Sequence, residues 1–397
     1  MKAPIKSRGK GVWTFTVELP RDAEGKRKRK RVTFHGTRRE VEAEHARVVN
    51  EVESGVYVDA KKTTVGEYLD WWLESCVKPK TAPRTHEGYE TIVELHLKPA
   101  LGSIRLARLS AMHVQQYESQ ALKSGRIERC TEPPEDDDPP RKRTLSAQTV
   151  LHHHRVLNTA LRQAVKQGIL LRNPLEAVEP PKPQRRQMQT LPGEQVAGLL
   201  EAAEGNRLHA PLQLAIATGM RRGELLGLHW RDVDLDAGKL GVRCSLQTLK
   251  DEPDAIIKSP KSGKSRTISL PAFAIEALKK HRADQAADKL LHGRDYQDSD
   301  LVFCEENGQP WKPNAFSGLW ERFRAKHGIP YRFHDLRHTC ATLMLEAGVH
   351  PKVVQEMLGH STIAITMDLY SHVSPNLQEE AALKLDAILQ GSGEDLS

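Results

Sequence analysis

The sequence predicts a multidomain α+β protein, and three patterns carry that prediction. An alternating, strongly basic N-terminus reads as strands followed by one helix. Helical periodicity then dominates from about Thr63 to Val178. Beyond it, further helices are interrupted after Asp236 by short strand-like runs. At 397 residues the chain is long enough for two or three domains, each with its own core.

The first module spans about residues 1–56. Val12–Leu19 (VWTFTVEL) alternates like a strand, RDAEG reads as a turn, and KRKRKRVTF as a second strand. Thr37 and Glu40 have the spacing of a capping box that opens a helix. Val41, His45, Val48, Val49 and Val52 recur at helical spacing, so that face should cover the sheet. The basic run Lys26, Arg27, Lys28, Arg29, Lys30 and Arg31 should then lie on the sheet's open side. Residues 1–40 hold thirteen Lys/Arg against four Asp/Glu, about +9 in a chain whose total is +7. A basic module on a nearly balanced body points to a polyanionic partner.

The second module, about residues 63–178, is helical. Thr64 and Glu67 repeat the capping-box spacing, and Val65, Tyr68, Leu69, Trp72, Leu73 and Cys76 form an apolar face. Trp71 and Trp72 read as rim and core. Helices are expected at 85–98, at 110–123 after Ser110, and at 146–167 after Ser146, the last stopped by Gly168. In that last helix Val150, Leu157, Leu161, Ala164 and Val165 should face the core. The consecutive His152, His153 and His154 diverge around the helix and cannot converge on a metal; beside Arg155 and Arg162 they read as a nucleic-acid-facing surface. Between these helices GRIERCTEPPEDDDPPRKR, residues 125–143, reads as a flexible insertion. EPPKPQRRQ, residues 179–187, is an extended linker whose Arg185 and Arg186 suit a phosphate backbone. A third module then runs over 188–389, with a tail at 390–397.

Bulk properties exclude several classes. No apolar run approaches a membrane span, and the start MKAPIKSRGKGVW lacks a signal-peptide core. Cys76, Cys130, Cys244, Cys304 and Cys340 are scattered, which argues against a zinc ribbon or disulfide framework and suits a reducing cytoplasm.

The chemistry-bearing residues lie in the third module. In LQLAIATGMRRGELLGLHW an apolar helix ends near Thr218-Gly219 and another begins around Met220. An arginine there combines its charge with helix N–H groups that favour an anion. Arg221 and Glu224 are three apart, so Glu224 can orient Arg221; Arg222 is the competitor. In YRFHDLRHTCATLMLEAG, His334 and Arg337 share a helical face, with Leu336, Ala341 and Leu345 on the buried side. His334 and His338 have the spacing of a zinc pair, but no glutamate of the His-Glu-x-x-His type lies between them. MLGHSTIAITMDLYSH reads as helix, Gly359 turn and helix, bringing His360 and Tyr370. Arginine forks match phosphate oxygens, histidines move protons near neutral pH, and a tyrosine can be a covalent nucleophile. Together they suit a cationic cup around a phosphodiester attacked by a phenolic oxygen.

The order and spacing of these motifs resemble the tyrosine recombinases, or phage integrases, over nearly the whole chain and most strongly from about Thr190 to Tyr370. The resemblance implies an active site of Arg221, His334, Arg337, His360 and the nucleophile Tyr370. His334 would accept the tyrosine proton, Arg337 would grip a non-bridging oxygen, and His360 would donate to the phosphate. After Asp236, KLGVRCSLQ and AIIKSPKSGKSRTISLP resemble the family's strands, and the Lys-rich turn resembles the hairpin that carries a catalytic lysine. Lys261 matches best, with Lys258 and Lys264 as alternatives. Its role would be general acid to the leaving 5′-oxygen.

By the same resemblance the first module is an arm-binding domain with a small three-stranded sheet plus helix. The second is a core-binding domain, and the third the mostly helical catalytic domain with a small sheet. The tail, with Ala381, Leu385, Ile388 and Leu389, resembles a helix passed to a neighbouring subunit. The implied partners are double-stranded DNA core and arm attachment sites, a homotetramer on DNA, and an excisionase or DNA-bending host factor, in the nucleoid-associated cytoplasm of a bacterial host. No metal and no other cofactor is implied. The arm-like N-terminus favours integration and excision of a phage or mobile element. The alternatives are a resolvase of the same family, a type IB topoisomerase, or an inactive DNA-binding regulator.

Overall fold

The computed structural model describes residues 5–19, 28–53, 61–125, 144–184, 189–249, 256–258 and 265–373, with isolated positions at 382, 385 and 386. Lys26, Arg27, Arg185, Arg186, Lys261 and Lys264 lie outside these residues, as do 126–143 and nearly all of the tail. The chain divides into two compact units, Met1–Gln184 and Arg185–Ser397.

The first unit opens with strands β1 (Lys6–Gly9), β2 (Val12–Leu19) and β3 (Lys28–His35), an antiparallel sheet in that order. Helix α1 (Arg38–Glu53) follows, started by the Thr37–Glu40 box: the Thr37 N–H donates to Glu40 Oε2 at 2.7 Å. Phe15 and Val17 of β2 pack on Val41 and Val48 of α1, the small core that the period-2 and period-3.6 patterns required. Arg29, Arg31, Thr33 and His35 are exposed while Val32 and Phe34 are half-buried, so β3 alternates. Arg29 and Arg31 therefore share the open face. Lys26, Arg27 and the side chains of Lys28 and Lys30 lie outside the description.

The helical part comprises α2 (Val65–Trp72), α3 (Pro83–Ile92), α4 (Lys98–Leu101), α5 (Ala111–Ser124) and α6 (Ala147–Lys166). Both α2 and α3 run on through wider π-type turns, Leu73–Val77 and Val93–Leu97. Thr64, Ser110 and Ser146 cap their helices with side-chain oxygens, which satisfies N–H groups that otherwise lack partners. Val65, Tyr68, Leu69 and Trp72 meet Leu157 and Leu161 in one core, and the buried Tyr68 hydroxyl donates to the Ala160 carbonyl at 2.7 Å. Arg155 and Arg162, seven residues apart on α6, are both exposed.

The neighbouring histidines depart from expectation. His152 is exposed, but His153 and His154 are buried. His154 Nδ1 lies 2.7 Å from Glu118 Oε1 of α5, and His153 Nδ1 2.8 Å from the Tyr117 hydroxyl. These rings are interior hydrogen-bonding groups, not a nucleic-acid surface. The helix turns them toward α5, whose polar side chains satisfy them.

The second unit holds α7 (Gly193–Ala202), α8 (His209–Thr218), α9 (Arg222–Leu226), strands β4 (Val233–Asp234), β5 (Lys239–Val242), β6 (Ser245–Gln247), β7 (Ile256–Lys258) and β8 (Arg266–Ser269), then α10 (Ala272–His292), α11 (Pro313–Lys326), α12 (Asp335–Glu346), α13 (Pro351–Leu358) and α14 (Ile363–Val373). Helix α8 is apolar all round because it is central, packed between α10 and α12. A smaller core of Cys340, Ala341, Leu345, Val354, Leu358 and Leu369 joins α12, α13 and α14.

The strands form two ladders, β4-β5-β8 and β6-β7, all antiparallel. Val242 pairs with Arg266 and Ser245 with Lys258. Residues 250–255 and 259–264, on either side of β7, lie outside the described residues.

Candidate active site

Helix α8 ends where Gly219 takes a left-handed backbone, φ +60°. A Cβ here would lie 2.2 Å from Leu358 Cδ2 and 3.3 Å from Cys340 Sγ, so only glycine lets this turn close on α12 and α13. The next turn places Arg221 at the start of α9. This helix has only five residues, and the Arg221 N–H donates to Glu224 Oε2 at 3.0 Å. Glu224 thus caps the Arg221 N–H from within the helix. What Arg221 offers outward is its guanidinium, one-third exposed. Its Nη1 donates to Glu224 Oε1 at 2.8 Å and its Nη2 to the Gly359 carbonyl at 3.3 Å.

Arg337 comes from α12 and is buried. Its Nη1 donates to the Gly219 carbonyl at 2.6 Å and its Nη2 to the Leu358 carbonyl at 2.8 Å. One guanidinium thereby ties together the turn before Arg221 and the turn before His360. A guanidinium has five N–H donors, so these bonds leave capacity for a further acceptor. Burial, then repulsion from Arg221, lowers its pKa to about 10, so it remains a cation at neutral pH.

Gly359, φ +67°, makes the turn after α13 and leads to His360. His360 Nδ1 sits 2.9 Å from the Thr366 hydroxyl, and Thr366 is fully buried on α14. Position 370 follows one helical turn later on the same face, and Leu369 beside it is anchored in the core. The backbone of Tyr370 is therefore held by α14; its side chain lies outside the description. Burial lowers His360 to a pKa of about 4, helped by the charges of Arg337 and Arg221.

His334 stands at the start of α12, with its ring packed 5.3 Å from that of His338, edge to face. Desolvation, then His338 and Arg337, hold His334 well below the ordinary histidine range. The ring is neutral at pH 7 and able to accept a proton. Burial likewise lowers His338. Among the described residues no group of three or more potential ligands is arranged for a metal, so the His334–His338 spacing gathers no further ligand there.

Arg221, Glu224, Arg337, His334 and His360 thus converge from three separate stretches of sequence. The sequence reading missed three neighbours: Arg266, His338 and Thr366. The motif HDLRHT displayed His338, but Thr366 and Arg266 acquire meaning only through contacts across the fold. Of the other positions expected to meet DNA, Arg155 and Arg162 lie together on an exposed face. Arg31 is open, and Arg29 is paired with Glu18 at 2.9 Å.

Comparisons with known proteins bear on the fold and the family. Residues 189–376 match the phage integrase family, and 64–120 match the phage integrase N-terminal SAM-like domain. A tyrosine recombinase XerC-like protein of Caldanaerobacter subterraneus subsp. tengcongensis is 31% identical over 398 residues, covering 95% of this chain and 96% of that one. An integrase of Saccharopolyspora erythraea is 26% identical, covering 96% and 95%. Among solved structures, a Tn1549 transposon integrase in complex with transposon right end DNA superposes with a TM-score of 0.65 at 20% identity, covering 81% of this chain and all of that one. A lambda integrase tetramer bound to a Holliday junction gives 0.56 at 19% identity, covering 90% and 95%. Those two likenesses speak for the fold, and no helix among the described residues is long and apolar enough to cross a membrane. With its full-length relative and its matched domains, the chain belongs to the phage integrase, or tyrosine recombinase, family and is a site-specific recombinase.

Proposed function

We propose that this recombinase integrates and excises a phage or other mobile element through a 3′-phosphotyrosine intermediate. The observation that carries the reading is the convergence of Arg221, Arg337, His334 and His360 beside the helix that bears Tyr370. The Tyr370 phenolic oxygen attacks the scissile phosphorus, forming a P–O bond to tyrosine as the P–O5′ bond breaks. His334, neutral at pH 7, takes the phenolic proton. A lysine of the 258–264 segment, Lys261 by position, protonates the leaving 5′-oxygen. Arg221 and Arg337 hold the non-bridging oxygens, and His360 donates a further hydrogen bond.

An isolated tyrosine has a pKa of ~10 and attacks poorly at neutral pH. Nearby guanidinium charge favours the phenolate and stabilises the charge gained by the pentacoordinate phosphorus. Phosphodiester is exchanged for phosphodiester, so the bond energy is retained and the 5′-hydroxyl of a partner strand can reverse the step. The modules divide the DNA: residues 1–56 take arm sites, 63–178 and 188–389 the core site, and four protomers assemble on it. The two structural relatives, whose names include transposon right end DNA and a tetramer bound to a Holliday junction, support DNA binding and assembly of four protomers.

The test pairs two plasmids that carry the DNA on either side of this chain's own gene and its joined, circular counterpart. Crossovers confined to one short sequence are the expected result. Relaxation of supercoils without a preferred sequence would assign a type IB topoisomerase, and tight binding without joining a regulator. Joining only between sister copies of a host sequence would assign a resolvase.

A further inference from the structure

Glu224 is the buried centre of the site, and its carboxylate is shared by two arginines. Its Oε1 accepts from Arg221 Nη1 at 2.8 Å and Arg266 Nη1 at 3.2 Å. Its Oε2 accepts from the Arg221 N–H at 3.0 Å and Arg266 Nη2 at 2.6 Å. A carboxylate presents about four lone-pair sites, and all four are filled here. The Glu224 side chain is 1% exposed and that of Arg266 10%.

Arg266 does more than neutralise. Its Nε donates to the Met357 carbonyl at 2.7 Å, one residue before the carbonyl of Leu358 that Arg337 holds. Its Cδ and Nη1 lie so close to Gly359 that a Cβ there would be 3.3 Å from each. Arg266 also begins β8, immediately after the segment that carries Lys261. One side chain therefore links the start of β8, the carboxylate that orients Arg221, and the turn that delivers His360.

We infer that Arg266 is a positioning residue for strand cleavage, holding Glu224 and the 357–360 turn so that Arg221 and His360 face one phosphate. The inference rests on the recombinase chemistry proposed above. It goes beyond it by assigning a third arginine that need not touch the substrate. Without Arg266, two lone pairs of a buried carboxylate lose their donors, and the whole charge of Glu224 falls on Arg221. Arg221 is then drawn inward from the Gly359 carbonyl and from the open side of the site. The 357–360 turn loses its donor at the same time. DNA contacts elsewhere on the chain are unaffected, so binding and cleavage separate.

The test uses the full chain with a nicked duplex suicide substrate built on the DNA flanking its gene, and Tyr370→Phe as the blank. Arg266→Gln should bind this duplex within about threefold of the parent. Its single-turnover adduct formation should slow on the order of 10–100-fold, short of the 10²–10³ typical for a donor that meets the transition state directly. Arg266→Lys, which keeps the charge but not the fork, should recover part of the rate. Glu224→Gln with Arg266→Gln should be less impaired than the product of the single losses, because the uncompensated carboxylate is gone. Adducts from Arg266→Gln within threefold of the parent rate overturn the inference. So does a parallel fall of binding, melting temperature and rate that Arg266→Lys shares in full. If the parent itself forms no adduct, the proposed function falls. The same pair of substitutions then decides the inference through thermal unfolding: additive losses refute the Glu224–Arg266 coupling.

Discussion

Two buried glutamates show how one residue type serves opposite ends in the two units. Glu118 lies in the helical core against His154, each side chain 7% exposed, a sealed pair. Burial raises the Glu118 carboxyl, and His154 only partly offsets it. Glu224 is buried more deeply, and burial alone would raise it too; the hydrogen bonds and charge of Arg266, then the hydrogen bonds of Arg221, reverse the sign. One carboxylate is tolerated inside a core. The other is kept ionised, with one of its arginines still one-third exposed. A satisfied polar pair that opens nowhere supports packing. A charge cluster with one cation left facing outward supports chemistry. The contrast also explains why His153 and His154 were misread: three consecutive histidines beside arginines look like a surface until α5 is seen to cover two of them.

The sharpest way to break the contrast is Arg337→Ala. It removes a donor from both the Gly219 and Leu358 carbonyls and a cation from the site, so adduct formation should fall by at least 10²–10³-fold. Single-turnover cleavage measures it; a loss under tenfold would deny Arg337 a place at the phosphate. Glu224→Ala comes next, leaving two arginines without their buried partner. A stability loss of about 3–5 kcal/mol is expected in denaturant unfolding of the full chain. A loss below about 1 kcal/mol would mean that the cluster is not electrostatically tied.

Acidification sharpens the comparison from another side. His334, His338 and His360 all have folded pKa values below the unfolded one, so the unfolded chain takes up their protons first. Their stabilising contribution is complete above about pH 6.5 and is lost as the pH falls below it, for His334 and His360 down to about 4. His360→Asn should flatten that slope, read as unfolding midpoint against pH; an unchanged slope would contradict it. The smallest effect is expected from Glu118→Gln, which keeps a hydrogen-bonding side chain of the same shape beside His154. Stability should change by about 1 kcal/mol and cleavage per folded molecule by less than twofold. A loss of cleavage at intact stability would bring Glu118 into the chemistry and erase the distinction.

Much of this was legible in the residues. Caps at Thr37, Thr64, Ser110 and Ser146, the apolar faces of α2 and α6, and the glycine turns at 219 and 359 follow from local rules of spacing and backbone freedom. Arg221, Glu224, His334, Arg337, His360 and Tyr370 stood out because their motifs are compact and ordered. Arg266 did not, because its partners lie 42 and 91 positions away and its own surroundings, SRTISL, read as an ordinary strand. The two-ladder arrangement of β5 to β8 escaped for a similar reason: strand pairing is a relation between segments, and alternation within each leaves register open. The burial of His153 required knowing which helix packs on α6.

The account's central claim is that this arginine–histidine cluster serves a covalent attack by Tyr370. The most direct test is rapid denaturation of the chain on its DNA, proteolysis, and mass spectrometry of the peptide that retains nucleotide. The account predicts a 3′-phosphate linked to Tyr370 and none from Tyr370→Phe. A nucleotide carried by Tyr331 or by any other residue, or a 5′-phosphate on the protein, would contradict it.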